Sequence, residues 1–336
     1  MTAPLALTMG EPAGIGGEIA LMAWQKRAQS ALPPFFIIDN PSRLERLAAR
    51  LGLSVPLRPI AQPAEASRLF ATALPVLPIE LSKPVQPGRP DPANAPAVIE
   101  AITKAVALVR SGRAGGVVTN PVQKETLYAA GFSHPGHTEF LGHLAKVKHP
   151  VMMLAGPDLR VVPVTVHLSL ANALGMLSTG AIVTAGRVTA EALKRDFGIE
   201  RPRLAVAALN PHAGEAGTMG REEIEVIAPA VKKLSSLGIA ASGPMPADTL
   251  FHPAARKRYD AVICMYHDQA LIPLKTLDFE HGVNVTLGLP FIRTSPDHGT
   301  ATDIAGKGVA NPASLIAALS LAGAMAKRRA ALAASA

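Results

Sequence analysis

Cysteine is almost absent from this chain, with one, Cys264, among 336 residues. An intramolecular disulfide is therefore excluded. The apolar run around that thiol, Ala261-Val262-Ile263-Cys264, marks it as a buried structural residue. The expected compartment is the cytoplasm. Aromatic residues are scarce, at 4%, so Ala, Val, Leu and Ile must fill the core that a 49% hydrophobic share allows. Charged residues reach only 17%, which with that apolar content excludes global disorder. No apolar run is long enough to span a bilayer. The most apolar tail segment, Ala313 to Ala326, is interrupted by Ser314, Ser320 and Gly323. It reads as a packed helix ending in Lys327-Arg328-Arg329, cations that suit a helix C-terminus. A basic segment followed by an apolar one is missing at the start, so no signal peptide is expected. Acid is in the minority, and the formal charge is +8. The basic residues are dispersed without an aromatic-interleaved stripe, which argues against nucleic acid. Attraction of an anionic small molecule is the simpler reading.

The length suits one large or two medium domains, and no compositional break marks a boundary. A strand over 4–9 runs into a glycine-rich turn at Gly10–Gly17 and a helix over 18–28. Residues 34–39 read as a second strand, and 42–51 as a helix capped by Ser42. Residues 54–94 are proline-rich, with short strands and turns. A helix over 95–111 and a strand over 115–119 follow. This alternation predicts an α/β fold, with mostly parallel sheets covered by helices.

Three apolar runs end in histidine: Val161–His167, Leu204–His212 and Ala261–His267. Each reads as a buried strand with a polar stop. Ligands of open α/β sheets bind beyond the carboxyl ends of strands. Taken singly, such a histidine is more often a hydrogen-bonded structural residue. Together, the three point to a histidine-only metal site with an open coordination position, the arrangement a Lewis acid needs.

Other segments carry candidate chemistry. Gly14-Ile15-Gly16 lacks the third glycine of a dinucleotide fingerprint, where Ile19 stands, and the turn lacks the Lys-Ser/Thr of a P-loop. It reads as a tight strand-to-helix turn. His134-Pro135-Gly136-His137-Thr138-Glu139 precedes a helix, where Thr138 or a neighbour can cap. His137 and Thr138 there could hold a phosphate or carboxylate. Asp248 is a candidate acid behind a ligand or a helix N-cap, and Asp268 stands beside His267. Lys275, Asn284 and Arg293 recur within one stretch, offering a point charge and a bidentate fork to an anion. The stretch 297–308 is a polar, glycine-bearing loop.

These segments together resemble the 4-hydroxythreonine-4-phosphate dehydrogenase family of pyridoxal phosphate biosynthesis. The matching stretches are GEPAGIG at Gly10, PGHTEF at Pro135, LNPHAGE at Leu209, PADTLF at Pro246, MYHDQ at Met265 and GVNVTLGLPFIRTSPDHGTA at Gly282. The resemblance implies a two-domain isocitrate/isopropylmalate dehydrogenase-like fold. One domain would span 1–128 plus 257–336 on the cofactor side. The other, over 129–256, would carry substrate, metal and dimer contacts. The resemblance also implies a homodimer with its active site at the subunit interface. His167, His212 and His267 match the family's divalent metal ligands, contributed across the dimer. His137, Thr138, Lys275, Asn284 and Arg293 match its substrate contacts, and Lys275 and Asp248 are the catalytic candidates. Asp297, His298, Gly299, Thr300 and Asp303 lie on a segment similar to an adenosine-binding loop.

The implied reaction is metal-dependent oxidation of 4-phosphohydroxy-L-threonine by NAD or NADP, then decarboxylation. One divalent ion per subunit is expected, with zinc favoured by imidazole and magnesium or cobalt as alternatives. Competing readings are a D-threonate or D-erythronate 4-phosphate dehydrogenase, a dihydrodiol dehydrogenase, and a non-catalytic metal- or anion-binding protein.

Overall fold

The computed structural model describes residues 2–134 and 136–335; Pro135, within the expected His134–Glu139 anion turn, lies outside the described residues. The strands are β1 (Leu5–Thr8), β2 (Phe35–Asp39), β3 (Leu57–Pro59), β4 (Leu74–Pro78), β5 (Val117–Thr119), β6 (Val151–Ala155), β7 (Arg160–Pro163), β8 (Arg203–Ala207), β9 (Ala240–Met245), β10 (Ala261–Cys264), β11 (Val283–Leu287) and β12 (Arg293–Pro296). The helices that position functional groups are α1 (Gly16–Gln25), α2 (Pro41–Leu51), α3 (Ala95–Arg110), α4 (His137–Ala145), α5 (Leu170–Met176), α6 (Thr179–Ala192), α7 (His267–Leu277) and α8 (Ala313–Ser335).

Packing divides the chain into two units, residues 1–148 with 289–336, and residues 149–288. In the first, the strands stand in the order β3-β4-β2-β1-β5-β12, and each neighbouring pair is parallel. In the second the order is β11-β6-β7-β10-β8-β9. There β6 runs antiparallel to both its neighbours, and the other pairs are parallel. The α/β class with mostly parallel, helix-covered sheets is thus what the chain adopts.

The units are cut at 148/149 and 288/289, whereas the resemblance implied cuts near 128 and 257. Side-chain burial explains the difference. Phe140, Leu141 and Ala145 of α4 share a core with Ala101 and Ile102 of α3 and with Leu127. Val262, Cys264, Ala270 and Leu274 belong to a separate core with Val161 and Ala205.

The strands follow from their composition. Phe35 to Ile38 are wholly buried, as expected of strands covered on both faces. Each such side chain contributes roughly 1.5–3 kcal/mol. Helix α2 starts one residue earlier than expected. Asn40, not Ser42, is its cap, accepting the Arg43 N–H at 2.9 Å, with Pro41 in the first turn. Gly52 ends it in the left-handed conformation. Helix α8 continues to Ser335, so Lys327-Arg328-Arg329 lie inside it and do not close it. The buried apolar face of Leu315, Ala318, Leu319, Ala322 and Met325 ends before those cations, and residues 327–334 continue the helix exposed or half-buried.

Candidate active site

The second unit gathers the three histidines on one sheet edge. β7, β10 and β8 are consecutive and parallel, so the segments bearing His167, His267 and His212 leave their carboxyl ends side by side. The strands stop sooner than the apolar runs do, at Pro163, Ala207 and Cys264. Each histidine therefore sits on the following loop or helix start. His267 is the first residue of α7, and Tyr266, still extended, is its cap, so the expected strand end is a helix start.

Hydrogen bonds stitch these segments together. The Thr165 hydroxyl donates to the Met265 carbonyl at 2.8 Å, tying the His167 loop to the His267 segment. Gln269, buried, accepts the Met265 N–H at 2.7 Å and donates to the Ala208 carbonyl at 2.6 Å. It thereby joins the His267 segment to the His212 loop. Cys264 lies between them as a buried thiol, and burial pushes its pKa up.

The His212 turn is the most strained backbone in this unit. His212 to Ala216 all have positive φ, between 44° and 78°. Each non-glycine residue there costs of order 1–3 kcal/mol. Glu223 holds the entrance. Its carboxylate accepts the N–H of Leu209 at 2.8 Å, of Asn210 at 2.7 Å, and the Asn210 side-chain amide at 3.0 Å. Burial works against its charge, but these bonds together hold its pKa below the usual carboxylate value. Gly214 lets the turn close, because a Cβ there would stand 2.6 Å from Glu223 Oε2.

His167 and His267 have ring centroids 6.0 Å apart and face a hollow of about 270 Å³ that also touches Thr165 and Asp268. Among the described residues, no group of three His, Cys, Asp or Glu side chains closes on one point. His212 does not join the other two within this chain. The adjacent pair still suits a cation. Two imidazoles on one ion, each with a metal–nitrogen distance near 2.0–2.1 Å, place their centroids roughly 5–6 Å apart. Nδ1 of His267 lies 2.7 Å from Asp268 Oδ1. That is the carboxylate–histidine arrangement that leaves the other ring nitrogen free to ligate.

Asp248 is exposed on a short helical turn, Ala247–Thr249, whose cap is Pro246, so it caps no helix. Lys275 is half-buried on α7, with Nζ 5.5 Å from the Phe279 ring. Asn284 lies on β11, and its buried side-chain oxygen finds no partner among the described residues.

The first unit sets a buried cation beside Thr119. Arg293, on β12, is buried, and its guanidinium donates to the Thr119 hydroxyl at 2.7 Å. Burial lowers its pKa to about 10, so it stays charged at neutral pH. His137 opens α4, whose cap is Gly136 without a side-chain bond; Thr138 is not the cap. Burial, then the charges of Arg293 and Lys124, push the His137 pKa down to about 3. The imidazole is therefore neutral. Its Nε2 is buried without a partner among the described residues, a polar atom poised for a ligand. Thr119 and Lys124 escaped the sequence reading, although Thr119 ends the buried strand β5 and Lys124 follows in the polar stretch after it, where ligands of open α/β sheets bind.

The 297–308 loop follows β12 and packs on the Gly10–Gly17 turn, where the Thr300 carbonyl accepts the Ile15 N–H at 3.0 Å. The Asp297 N–H donates to Ser314 Oγ at 3.0 Å, and His298 Nδ1 lies 2.9 Å from the Gly299 carbonyl. Asp303 is exposed on the same loop. A Cβ on Gly10 would meet the Pro121 carbonyl at 2.5 Å, and one on Gly14 the Thr300 carbonyl at 2.7 Å. These glycines serve close backbone approach within the protein, the tight-turn reading.

Comparison with known proteins places this geometry. The chain is 56% identical over 332 residues to a 4-hydroxythreonine-4-phosphate dehydrogenase of Caulobacter vibrioides, covering 97% of this chain and 98% of that one. The same enzyme of Bradyrhizobium diazoefficiens is 56% identical over 334 residues, covering 96% and 97%. Among solved structures, the Klebsiella pneumoniae 4-hydroxythreonine-4-phosphate dehydrogenase superposes with a TM-score of 0.88 at 40% identity, covering 97% and 98%. A terephthalate 1,2-cis-dihydrodiol dehydrogenase of Burkholderia xenovorans LB400 is more distant, with a TM-score of 0.65 at 28% identity, covering 96% and 98%. The family model described as pyridoxal phosphate biosynthetic protein PdxA matches residues 31–322, and the chain belongs to that family.

Proposed function

We propose that this chain oxidises the secondary alcohol of 4-phosphohydroxy-L-threonine with a nicotinamide dinucleotide. The β-keto acid formed then loses carbon dioxide to leave 3-amino-2-oxopropyl phosphate. The observation that carries this reading is 56% identity, end to end, with enzymes named for that reaction. The weaker likeness to a dihydrodiol dehydrogenase supports the shared fold more than that substrate.

The residues have definite tasks in this reading. Neutral His137 donates a hydrogen bond to an anionic oxygen, and buried Arg293 supplies the charge, with Thr138 beside them. Lys275 and Asn284 bind the substrate's polar groups, and Lys275 or Asp248 accepts the hydroxyl proton. Hydride leaves the carbinol carbon for the dinucleotide, whose adenosine end we assign to Asp297, His298, Gly299, Thr300 and Asp303. His167, His212 and His267 would hold a divalent cation, zinc by the softness of imidazole. Such an ion supplies Lewis acidity that lowers the pKa of the alcohol and steadies negative charge during decarboxylation.

A homodimer and a cytoplasmic location complete the proposal. Leu170 and Met176 of α5 are 69% and 65% exposed, and Leu170 lines the His167 hollow. Exposed apolar surface of that kind marks interaction sites, and a second copy of this chain is the partner we assign to it. No helix among the described residues is long and apolar enough to cross a membrane.

The test is reduced-dinucleotide formation with 4-phosphohydroxy-L-threonine, D-threonate 4-phosphate and a cis-dihydrodiol, with and without a chelator. Turnover of the amino acid alone, lost on chelation, is expected. Preference for either other substrate would refute the assignment.

A further inference from the structure

The first unit holds another cationic group, which the reaction above does not use. A hollow of about 240 Å³ beside the Gly10–Gly17 turn is walled by Pro12, Gly14, Pro87 and the face of α2 that carries Arg43, Arg46 and Arg50. The three arginines differ in what remains of their donors. Arg43 is committed: Nη1 bonds Asp39 at 2.5 Å, while Nε and Nη2 bond the Pro12 carbonyl at 3.2 and 2.6 Å. Its charge is balanced, and it fixes the turn to α2. In Arg50, Nε donates to the Gly306 carbonyl at 3.0 Å, which leaves the two terminal nitrogens for another acceptor. Arg46 is exposed and bonds no described residue.

Arg46 and Arg50 are one helical turn apart, where like charges repel, and no carboxylate lines the hollow. An anion would relieve that repulsion. The neighbouring loop is shaped for close approach. Gly306 has φ 73°, and a Cβ on it would meet Pro87 at 2.8 Å and Arg50 Nε at 3.0 Å. The pinned Nε orients the Arg50 fork before any ligand arrives, which lowers the entropy lost on binding.

The kind of anion follows from the donors. A pyrophosphate is normally cradled by backbone N–H groups of a glycine turn. Here the Gly14 face is filled by Thr300 and the Gly16 face by the Met9 carbonyl. Guanidinium forks without a backbone cradle suit a terminal phosphate monoester. We propose that Arg46 and Arg50 bind the 2′-phosphate on the adenosine half of a nicotinamide dinucleotide, and so favour NADP+ over NAD+. This rests on the reading that the 297–308 loop receives that adenosine.

Calorimetry at constant ionic strength tests it, with full-length protein and adenosine 2′,5′-bisphosphate, adenosine 5′-phosphate and inorganic phosphate as probes. The wild type is expected to bind the bisphosphate about tenfold or more tighter than the monophosphate. Arg46→Gln, which removes no internal bond, should bring the two within about twofold, and Arg50→Gln should narrow the gap as well. Equal affinities in the wild type would overturn the proposal and leave the cofactor reading standing. Failure of both nucleotides to bind would overturn both. Tight inorganic phosphate without nucleotide preference would assign the arginines to another phosphate ligand and reject the 2′-phosphate.

Discussion

Glu18, wholly buried in the first turn of α1, accepts the Gly306 N–H at 2.8 Å and the Ala310 N–H at 3.4 Å. One carboxylate thus ties the first helix to the far end of the 297–308 loop. The loop's shape depends on it, because both N–H groups are committed to that one carboxylate.

Glu18→Ala should therefore cost about 2–3 kcal/mol of stability, the price of stranded buried donors. Cofactor KM should rise while kcat changes little, since the loop is displaced and the alcohol-binding residues are not. Denaturant unfolding and cofactor titration check this. Unchanged values for both would show that the loop holds itself.

Glu223→Gln keeps the volume but weakens the acceptor that holds the entrance to the His212 turn. The strained backbone should relax, with about 1–2 kcal/mol lost and divalent-ion retention reduced. The pH dependence has a definite sign. A carboxylate with a depressed native pKa contributes stability above its unfolded value of 4.5 and loses it as pH falls through the lower native value. Acid unfolding of the variant should therefore be shallower in that range.

Asp268→Asn removes the negative charge 2.7 Å from His267 Nδ1. Metal affinity should drop about tenfold, the low end for such partners, because the carboxylate is 68% exposed. Chelator competition measures it directly. Identical affinity would mean that His267 orients itself.

His137 gives the fourth test. Its native pKa of about 3 lies below its ordinary 6.5. Between those values the unfolded chain binds a proton that the folded chain does not, so stability falls as pH falls. The slope is up to about 1.4 kcal/mol per pH unit for one group. His137→Asn should flatten stability between pH 6 and pH 4, read from denaturation midpoints.

The periodicity of β1, α1, β2 and α3 was legible because each buries a continuous or one-faced apolar set. The positions of His167, His212 and His267 beyond buried strands were legible for the same reason. What escaped was nonlocal. Glu223, Gln269 and Thr165 support the histidine segments through bonds to backbone groups just beyond the ends of β8 and β10, and no local spacing announces such partners. Asn40 displaced Ser42 as a cap because Pro41 could occupy the first turn. The cuts between units depend on which core Phe140 and Val262 enter, which is decided by packing and not by composition.

The first unit is assembled from two distant pieces of chain, and that has a consequence for its birth on the ribosome. Arg293 and Thr119, bonded side by side, are 174 positions apart. At about 5–20 residues per second, roughly 10 to 35 seconds separate their synthesis. During that interval β5 waits with an unpaired edge, while residues 149–288 emerge as one contiguous stretch. The His137 pocket acquires its buried cation only when β12 docks. Nascent chains truncated before Arg293 should consequently expose a strand edge that invites wrong pairing, and folding helpers that shield such edges would act on this half of the molecule.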